Sequence, residues 1–332
     1  MSEIWVIAEK RGSKIHSSTF ELLGKARELS EKNGFAVSLA LLIEERPSEE
    51  VFDELFAGGT DRVVLSVHEG FRRFDFQPYI RVLEKMIREY SPEIVLAPAT
   101  SSGRSYMPGL AALLDTGLTA DCTGLDIEEV TGNLLQTRPA IGGNIIATIK
   151  TPSHRPQMAT VRPKTFSPLK EKYDSKRELV QFEVEPELVK TSAQLIEFVP
   201  IGEGKKGVQD AEIIVAGGMG LRRIENMLPV YRLCKLINGT VGASRKIVDS
   251  KWLGHEAQVG LSGHTVKPKI YIAAGISGAV QHIAGMQTSE FIVAINRDRN
   301  AAIFNFADIG LVGDATEILD ELVESLGAEV EK

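Results

Sequence analysis

The chain has 332 residues, which is long enough for two domains of ordinary size. Its hydrophobic content of 43% and charged content of 25% are those of a globular protein, and its net charge of −7 provides no basic surface for nucleic acid. No apolar run approaches the length needed to cross a bilayer, and the chain enters an apolar strand without a signal or transit segment, so we expect a cytoplasmic protein.

The first part of the chain alternates strand-like and helix-like patterns, which predicts a parallel sheet covered by helices. We expect the first helix to have Ser17 or Ser18 as its N-cap and to end before Gly34. A polar loop, residues 100–105, precedes the last of these helices. The predicted strands are residues 4–8, 36–42, 62–66 and 94–97, and the predicted helices are residues 17–32, 47–57, 78–90 and 106–114.

After Asp121 the pattern changes to short strands separated by turns, which we expect to form antiparallel additions to the first sheet. A glycine-rich polar stretch, residues 200–207, is typical of a linker. The sequence therefore predicts an N-terminal α/β domain over residues 1–200 and a second domain over residues 208–332. The short strands of this antiparallel addition are predicted at residues 125–129, 134–139, 145–150 and 157–161, and one more strand is predicted at residues 179–184.

Strand and helix patterns alternate again in the second domain, which predicts a second α/β sheet. The predicted strands are residues 212–216, 240–242, 269–273, 291–295 and 302–306, and the predicted helices are residues 224–237, 279–286 and 315–326.

Cysteine and histidine usage limits the chemistry that this chain can carry. Cys122 and Cys234 are far apart and neither belongs to a CxxC pair, so we expect two small buried residues rather than a disulfide or an Fe–S cluster. The six histidines lack the spacing of metal ligands, and we predict no metal site. Any redox chemistry would have to be carried by an organic cofactor.

Glycines are concentrated in the second domain, where 16 of the 30 lie between Gly202 and Gly313. Two glycine-rich loops, residues 217–220 and 275–278, directly follow apolar strands. Such loops let a ligand approach the backbone at the edge where open α/β sheets bind ligands, although tight turns without a ligand have the same composition. A nicotinamide fingerprint, GxGxxG, would need a third glycine where Arg223 stands, so an ordinary NAD dehydrogenase domain is disfavoured.

Polar side chains accompany these loops. Ser244 and Arg245 could contact a phosphate or a flavin ring, and Ser262 stands among small residues that would admit a flat ligand. Gln281 and His282 lie early in a predicted helix. Each of them taken alone is equally explained as an ordinary loop or core residue.

Longer motifs in the second domain resemble the electron-transfer flavoprotein alpha subunit. The run at residues 270–296 reads IYIAAGISGAVQHIAGMQTSEFIVAIN; VGASR precedes it at residues 241–245, and NFAD follows at residues 305–308. The resemblance covers most of residues 211–314, and the N-terminal domain agrees more loosely through GLTADCTGLDI. The expected fold is therefore an N-terminal parallel-sheet α/β domain with antiparallel additions, followed by a Rossmann-like doubly wound FAD-binding domain.

The resemblance implies noncovalent FAD in the second domain and no catalytic acid–base residue, because the family transfers electrons. Ser262 would lie at flavin N5, with His282 and Arg245 near the N1–C2=O edge and the ring face, while Asn296 and Asp308 would lie on the adenosine and ribityl–phosphate side. The chain departs from the family pattern at Met219 and Leu261. The implied cofactor contacts are Ser244, Arg245, Gln258, Val259, Gly260, Ser262, Gly263, Gly275, Ile276, Ser277, Gly278, Ala279, Gln281, His282, Asn296, Asp308 and Ile309.

The resemblance also implies a partner, the beta subunit of a heterodimer, which would contact the N-terminal domain and bind AMP or a second FAD. The segments TGLTADCTGLDI, LLQTRPAIGGNIIATI and RPQMATVRP resemble the electron-bifurcating or Fix-type branch. There, NADH reduces the partner's flavin, and electrons pass to ferredoxin or flavodoxin and, through this chain's FAD, to a quinone or acyl-CoA oxidoreductase. The alternatives are a simple carrier with one FAD and AMP, which links acyl-CoA dehydrogenases to a membrane quinone oxidoreductase, a nicotinamide-binding enzyme, and a nucleotide-binding scaffold. Whether the chain is part of an enzyme or only a carrier stays open.

Overall fold

In a computed structural model, the chain divides into two compact units, Met1–Glu197 and Phe198–Lys332. All of the predicted linker except Gly207 lies outside the described residues. The structure describes residues 2–12, 14–140, 145–174, 176–192, 195–197 and 207–330.

The elements of the N-terminal unit are β1 (Glu3–Ile7), β2 (Lys10–Arg11), β3 (Lys14–Ile15), α1 (Ser17–Asn33), β4 (Ala36–Ile43), α2 (Glu49–Ala57), β5 (Arg62–Val67), α3 (Phe76–Tyr90), β6 (Ile94–Pro98), α4 (Ser101–Leu113), β7 (Leu118–Cys122), β8 (Gly124–Ile127), β9 (Leu134–Pro139), β10 (Ile146–Ile149), β11 (Gln157–Val161) and β12 (Glu178–Gln181). A sheet of seven parallel strands forms the centre of this unit, in the order β12-β5-β4-β1-β6-β11-β7, and a separate three-stranded antiparallel sheet has the order β10-β9-β8.

Helices cover both faces of this sheet, because its strands are apolar on both sides. Apolar residues of α1 and α2, such as Leu23 and Leu55, pack with Val6 and its neighbours on one face. On the other face, α3 and α4 pack Leu83 and Leu110 against residues that include Trp5. Burial on both faces is what a parallel sheet requires, and the predicted parallel-sheet domain with antiparallel additions is confirmed.

Two strands of this unit differ from the prediction. Residues 157–161 were expected in the antiparallel addition, but β11 is buried at every position and pairs in parallel with β6 and β7. The strand β7 was not predicted, because Thr119, Asp121 and Cys122 give it no clear apolar pattern. Within the described residues, β8, β9 and β10 form the antiparallel part as a sheet separate from the first one, and β2 pairs with β3 in a further two-stranded antiparallel sheet.

The start of α4 and the N-cap of α1 also differ from the prediction. α4 begins at Ser101 rather than at Tyr106, because the Thr100 hydroxyl accepts a hydrogen bond from the Gly103 amide at 3.2 Å and turns the expected loop into the first helical turn. The N-cap of α1 is His16, whose Nδ1 accepts a hydrogen bond from the Ser18 amide at 3.3 Å.

The C-terminal unit contains five parallel strands in the order β14-β13-β15-β16-β17, with helices on both faces. This order is the flavodoxin-like version of the doubly wound fold, and it confirms the predicted Rossmann-like doubly wound domain. The elements are β13 (Ile213–Gly217), α5 (Leu228–Leu236), β14 (Thr240–Ala243), α6 (Arg245–Asp249), β15 (Ile270–Ala274), α7 (Val280–Met286), β16 (Ile292–Asn296), β17 (Ile309–Val312) and α8 (Ala315–Val330).

The strand predicted at residues 302–306 is wrong, because Ala302–Phe306 is a 3₁₀ helix and the fifth strand is β17. The apolar residues of this segment are explained by packing: Ile303 is fully buried, and its amide donates to the Ser277 carbonyl at 3.2 Å. The helix predicted from Ile224 starts as a 3₁₀ turn and becomes α5 only at Leu228, ahead of a proline in its first turn.

Both cysteines are buried and free, and burial raises the pKa of each thiol to about 12, so neither is a reactive thiolate. No helix in the described ranges is both long enough and apolar enough to span a bilayer.

We predict that Gly103→Ala destabilises the N-terminal unit by about 1–3 kcal/mol. A Cβ atom there would overlap the carbonyl oxygen of Pro98, so the start of α4 would have to move away from β6. Urea unfolding measures the change, and Ser101→Ala, at an exposed position in the same turn, is the matched control. Equal midpoints for the two variants would contradict the prediction.

Candidate functional site

The carboxyl ends of β13 and β15 form the topological switch point of the C-terminal sheet. From β13 the chain passes to β14 on one side, and it then returns to β15 on the other side. In open α/β sheets, ligands bind in the crevice that such a reversal creates. The two glycine-rich loops, residues 217–220 and 275–278, both lie at this point.

Glycines of the first loop pack against the second loop. A Cβ atom on Gly218 would overlap the carbonyl oxygen of Gly275, and one on Gly220 would lie 2.6 Å from the Gly275 Cα. The Gly220 amide also donates to the Gly275 carbonyl at 2.9 Å. The expectation that both loops leave room for a ligand is therefore wrong for the first loop, whose glycines are needed for contact between two backbones.

The second loop offers consecutive backbone donors instead. The amides of Ser277, Gly278 and Ala279 form no hydrogen bond within the described part of the chain. Gly278 has φ +86°, and a Cβ atom there would overlap the backbone of Ile303. Successive free amides in a turn of this kind make a concave anion-binding nest, so the loop fits the pyrophosphate of a dinucleotide.

A tight turn at residues 258–264 lies beside α7. Most of its amides bond to the protein: Gly260 donates to the His264 carbonyl at 3.1 Å, and Leu261 donates to the Gln281 carbonyl at 2.8 Å. The amide of Ser262 makes no intramolecular bond in the described chain, and its hydroxyl accepts from Gln258 Nε2 at 3.0 Å. Ser262 is exposed and keeps an amide and a hydroxyl proton to donate to a ligand.

The turn can approach α7 closely because both backbones lack a side chain at the contact. A Cβ atom on Gly285 would lie 2.5 Å from the Gly260 amide nitrogen, and Gly260 itself has φ +143°. Gly285 was not among the predicted site residues, although an isolated glycine inside a helix is a signal of close packing.

His282 lies inside α7 with only 6% of its surface exposed. Its Nε2 forms a hydrogen bond of 2.9 Å with the Tyr271 hydroxyl. Burial lowers the pKa of His282 to about 4, and the nearby backbone of Val259 opposes this shift only in part. The imidazole is therefore neutral at neutral pH. Tyr271 was not among the predicted site residues, because a tyrosine in an apolar strand has the pattern of the core.

Ser244 and Arg245 begin α6 at the end of β14. Ser244 is half-buried, its amide donates to the Gly217 carbonyl at 3.0 Å, and its hydroxyl makes no capping bond. Arg245 is exposed and contacts Asp249 at 3.3 Å, an ion pair open to water that costs little to break. Both side chains can therefore turn to a ligand.

Asn296 and Asp308 lie at opposite ends of β16. The Asn296 amide group donates to the Ile276 carbonyl at 2.9 Å, which ties the end of β16 to the second glycine loop. The Asp308 carboxylate instead accepts from the Ile292 amide at 2.7 Å, at the start of β16, with Ile309 next to it. Four residue steps of a strand span about 13 Å, so only an elongated ligand could contact both ends.

The carboxyl edge of the sheet thus brings together most of the predicted contacts. Two side chains that depart from the family pattern are exposed beside them, Met219 by 38% and Leu261 by 51%. Asp308 and Ile309 are the two predicted contacts at the other edge. The residues at the carboxyl edge are Ser244, Arg245, Gln258, Val259, Gly260, Ser262, Gly263, Gly275, Ile276, Ser277, Gly278, Ala279, Gln281, His282 and Asn296.

We predict that Gly285→Ala destabilises the C-terminal unit by about 1–3 kcal/mol, because its Cβ atom would push α7 away from the turn at Gly260. Gly327→Ala, in α8 with open space around it, is the control and should stabilise the protein by about 0.5–1 kcal/mol. Urea unfolding of the two variants should give shifts of opposite sign, and shifts of the same sign would refute the packing argument.

We predict that acid destabilises the C-terminal unit through His282. An unfolded histidine titrates near a pKa of about 6.5 and the folded one near about 4, so below pH ~6.5 protons bind the unfolded state first. The contribution of neutral His282 to the free energy of unfolding is fully present above pH ~6.5 and declines as the pH falls towards ~4. By pH ~5 the free energy of unfolding has fallen by about 2 kcal/mol. Urea unfolding at several pH values should show a steeper decline for the wild type than for His282→Gln, and parallel declines would contradict the assignment.

Comparison with known proteins agrees with these observations. The model of the electron transfer flavoprotein domain matches residues 4–187, and that of the electron transfer flavoprotein FAD-binding domain matches residues 207–287. The electron transfer flavoprotein subunit alpha of Clostridium acetobutylicum is 40% identical, and the match covers 98% of this chain and 97% of that protein.

Two further relatives carry other names. Protein FixB of Clostridium saccharobutylicum is 41% identical over 96% of this chain and 95% of its own length. The LctC subunit of lactate dehydrogenase (NAD(+),ferredoxin) of Acetobacterium woodii is 42% identical over 96% of this chain and 76% of its own length. The chain therefore belongs to the electron transfer flavoprotein alpha-subunit family.

Proposed function

We propose that the C-terminal unit binds FAD noncovalently and that the chain passes electrons between redox partners in the cytoplasm as the alpha subunit of a heterodimer. The observation that carries this proposal is the run of free amides at Ser277, Gly278 and Ala279, at the switch point of a doubly wound sheet. The family match to an FAD-binding domain supports the same ligand.

In this proposal the backbone amides bind the cofactor, and the side chains orient its flavin ring. The three free amides donate to the pyrophosphate, and Asn296, through its bond to the Ile276 carbonyl, holds the loop that carries them. Ser262 donates at flavin N5 and Arg245 lies against the ring, where a positive charge favours the anionic reduced form. The elongated FAD reaches Asp308 with its adenosine end. The bound flavin supplies the redox chemistry, so no residue of this chain acts as an acid or base.

The N-terminal unit is proposed to dock the beta subunit. Among the described residues, β10 pairs with no strand other than β9, and the apolar side chains of Ile146 and Ile149 are exposed along it, by 71% and 39%. Ile145, directly before this strand, is exposed by 63%. An apolar edge strand of this kind is a surface that a protein partner covers.

We further propose the electron-bifurcating or Fix-type branch, in which the beta subunit binds a second FAD that NADH reduces, with ferredoxin or flavodoxin and a quinone or acyl-CoA oxidoreductase as acceptors. The relatives named FixB and LctC support this branch, the latter through the NAD(+) and ferredoxin in its name. The second candidate is the simple carrier with one FAD and AMP that links acyl-CoA dehydrogenases to a membrane quinone oxidoreductase; the relative named only electron transfer flavoprotein subunit alpha is compatible with it.

We predict that the purified full chain takes up one FAD and that Arg245→Ala lowers the reduction potential of this flavin by roughly 20–60 mV, because a nearby cation is lost. Lys246→Ala is the control, since Lys246 is also exposed on α6. Spectroelectrochemical titration measures the potentials. A chain that stays colourless after incubation with FAD would reject the flavoprotein, whereas equal potentials for both variants would reject only the role of Arg245.

We predict two FAD molecules per heterodimer when the chain is co-purified with its beta subunit, together with reduction of flavin by NADH. Release of the nucleotides by denaturation, followed by chromatography, counts FAD and AMP. One FAD and one AMP per heterodimer would reject the bifurcating branch and favour the simple carrier.

A further inference from the structure

Charged side chains meet at one corner of the N-terminal sheet, where β7 and β11 end. Arg162 directly follows β11, and its amide donates to the carbonyl of Cys122, the last residue of β7, at 3.1 Å. Asp121, also in β7, pairs with Arg104 of α4 at 2.9 Å. Two arginines and one aspartate therefore lie at the carboxyl ends of these two strands.

The antiparallel sheet adds a third arginine to this corner. The Thr123 amide, directly after β7, donates to the Thr137 carbonyl of β9 at 2.8 Å, and Arg138 is the next residue of β9. Among the described residues, Asp121 is the one carboxylate whose charge acts on Arg162. The corner therefore has an excess of positive charge in a chain whose net charge is −7. This cluster, the arginine corner, consists of Arg104, Arg138 and Arg162 around Asp121.

Two of these arginines lack a paired anion. The side chains of Arg138 and Arg162 form no hydrogen bond or ion pair within the part of the chain that the structure describes, and Nε of Arg162 is shielded from solvent. Burial lowers the pKa of Arg162, the Asp121 carboxylate opposes this shift, and the two neighbouring arginines add to it. A shielded cation without a partner destabilises the folded chain, and an anion supplied from outside would remove that cost.

The arginine corner adjoins the surface that is proposed to dock the beta subunit. Arg138 lies directly opposite Ala147 of β10, and Ile149 follows Ala147 by two residues. Opposed residues share a face of the sheet and side chains alternate along a strand, so Arg138 and the exposed Ile149 lie on the same face. A protein that covers Ile149 therefore also comes close to the arginine corner.

We propose that Arg138 and Arg162 bind a carboxylate side chain of the beta subunit. The inference rests on the proposed docking of that subunit to the N-terminal unit. Arginine can donate two parallel hydrogen bonds to one carboxylate, which fixes the direction of approach as well as adding attraction. The apolar edge at Ile149 then supplies contact area, and the arginine corner sets the register in which the two chains meet.

The test measures the affinity of the full chain for its beta subunit by titration calorimetry. Arg162→Met keeps the length of the side chain and removes its charge and its donors, so we expect binding to weaken by at least about 10-fold. Arg138→Met should act in the same direction, and Arg162→Lys should lose less. Arg177→Met, at an exposed arginine next to β12 on the far side of the sheet, is the matched control and should bind like the wild type.

Equal affinities for Arg162→Met and Arg177→Met would overturn the inference. So would an effect of Arg162→Met that disappears when the beta subunit is freed of its nucleotide, because the anion would then be the nucleotide's phosphate and not a side chain.

Urea unfolding of the isolated chain is the second measurement. Because Arg162 is unpaired there, Arg162→Met should unfold at the same urea concentration as the wild type or at a higher one. Inorganic phosphate, used as a stand-in anion, should raise the midpoint of the wild type more than that of Arg162→Met. A lower midpoint for Arg162→Met together with equal phosphate effects would assign Arg162 a purely structural role and overturn the inference. If phosphate acts through Arg162 but no beta subunit binds, the proposed docking falls and the arginine corner remains a site for anions.

Discussion

Close approach between backbones is the constraint on which the carboxyl edge of the C-terminal sheet depends. The first glycine loop lies on the second at Gly220 and Gly275, and the turn at residues 258–264 lies on α7 at Gly260 and Gly285. Each contact excludes a Cβ atom, so each requires glycine. In the first loop the Gly218 and Gly220 amides donate to backbone carbonyls, whereas three consecutive amides of the second loop, Ser277 to Ala279, have no partner within the described part of the chain. The position of the candidate anion site therefore follows from which backbones touch.

The N-terminal unit has the same kind of switch point, between β1 and β6, but side chains fill it. The Glu9 carboxylate accepts a hydrogen bond from the Thr100 hydroxyl, and Lys10 pairs with Glu44. Burial raises the pKa of Glu9, with the Thr100 bond opposing this shift. Two sheets of one architecture thus have different chemistry at corresponding edges. The proposed cofactor site lies in the C-terminal unit, and the N-terminal unit is the one proposed to dock the beta subunit.

Much of the fold could be predicted from the sequence, because strands buried on both faces and amphipathic helices have distinct periods. The errors occurred where a tertiary contact decides the local structure. Thr100 caps a helical turn where the polar sequence predicts a loop, and burial of Ile303 explains an apolar segment that is a 3₁₀ helix and not a strand. In the candidate site, motif order located the loops, but no local pattern distinguishes Tyr271 from a core residue or shows which loop keeps free amides. Those properties depend on residues that are distant in sequence.

The free amides of Ser277, Gly278 and Ala279 have a consequence for how this chain can vary. A backbone amide carries no charge that titrates, and no substitution except proline removes its N–H. The proposed binding of an anion at this loop therefore depends on the backbone path, including the φ of +86° at Gly278. Side chains such as Arg245 and Leu261 are then free to diverge between relatives. Retention of the proposed cofactor and adjustment of its electronic properties would therefore depend on different parts of the chain, the backbone for the first and the side chains for the second.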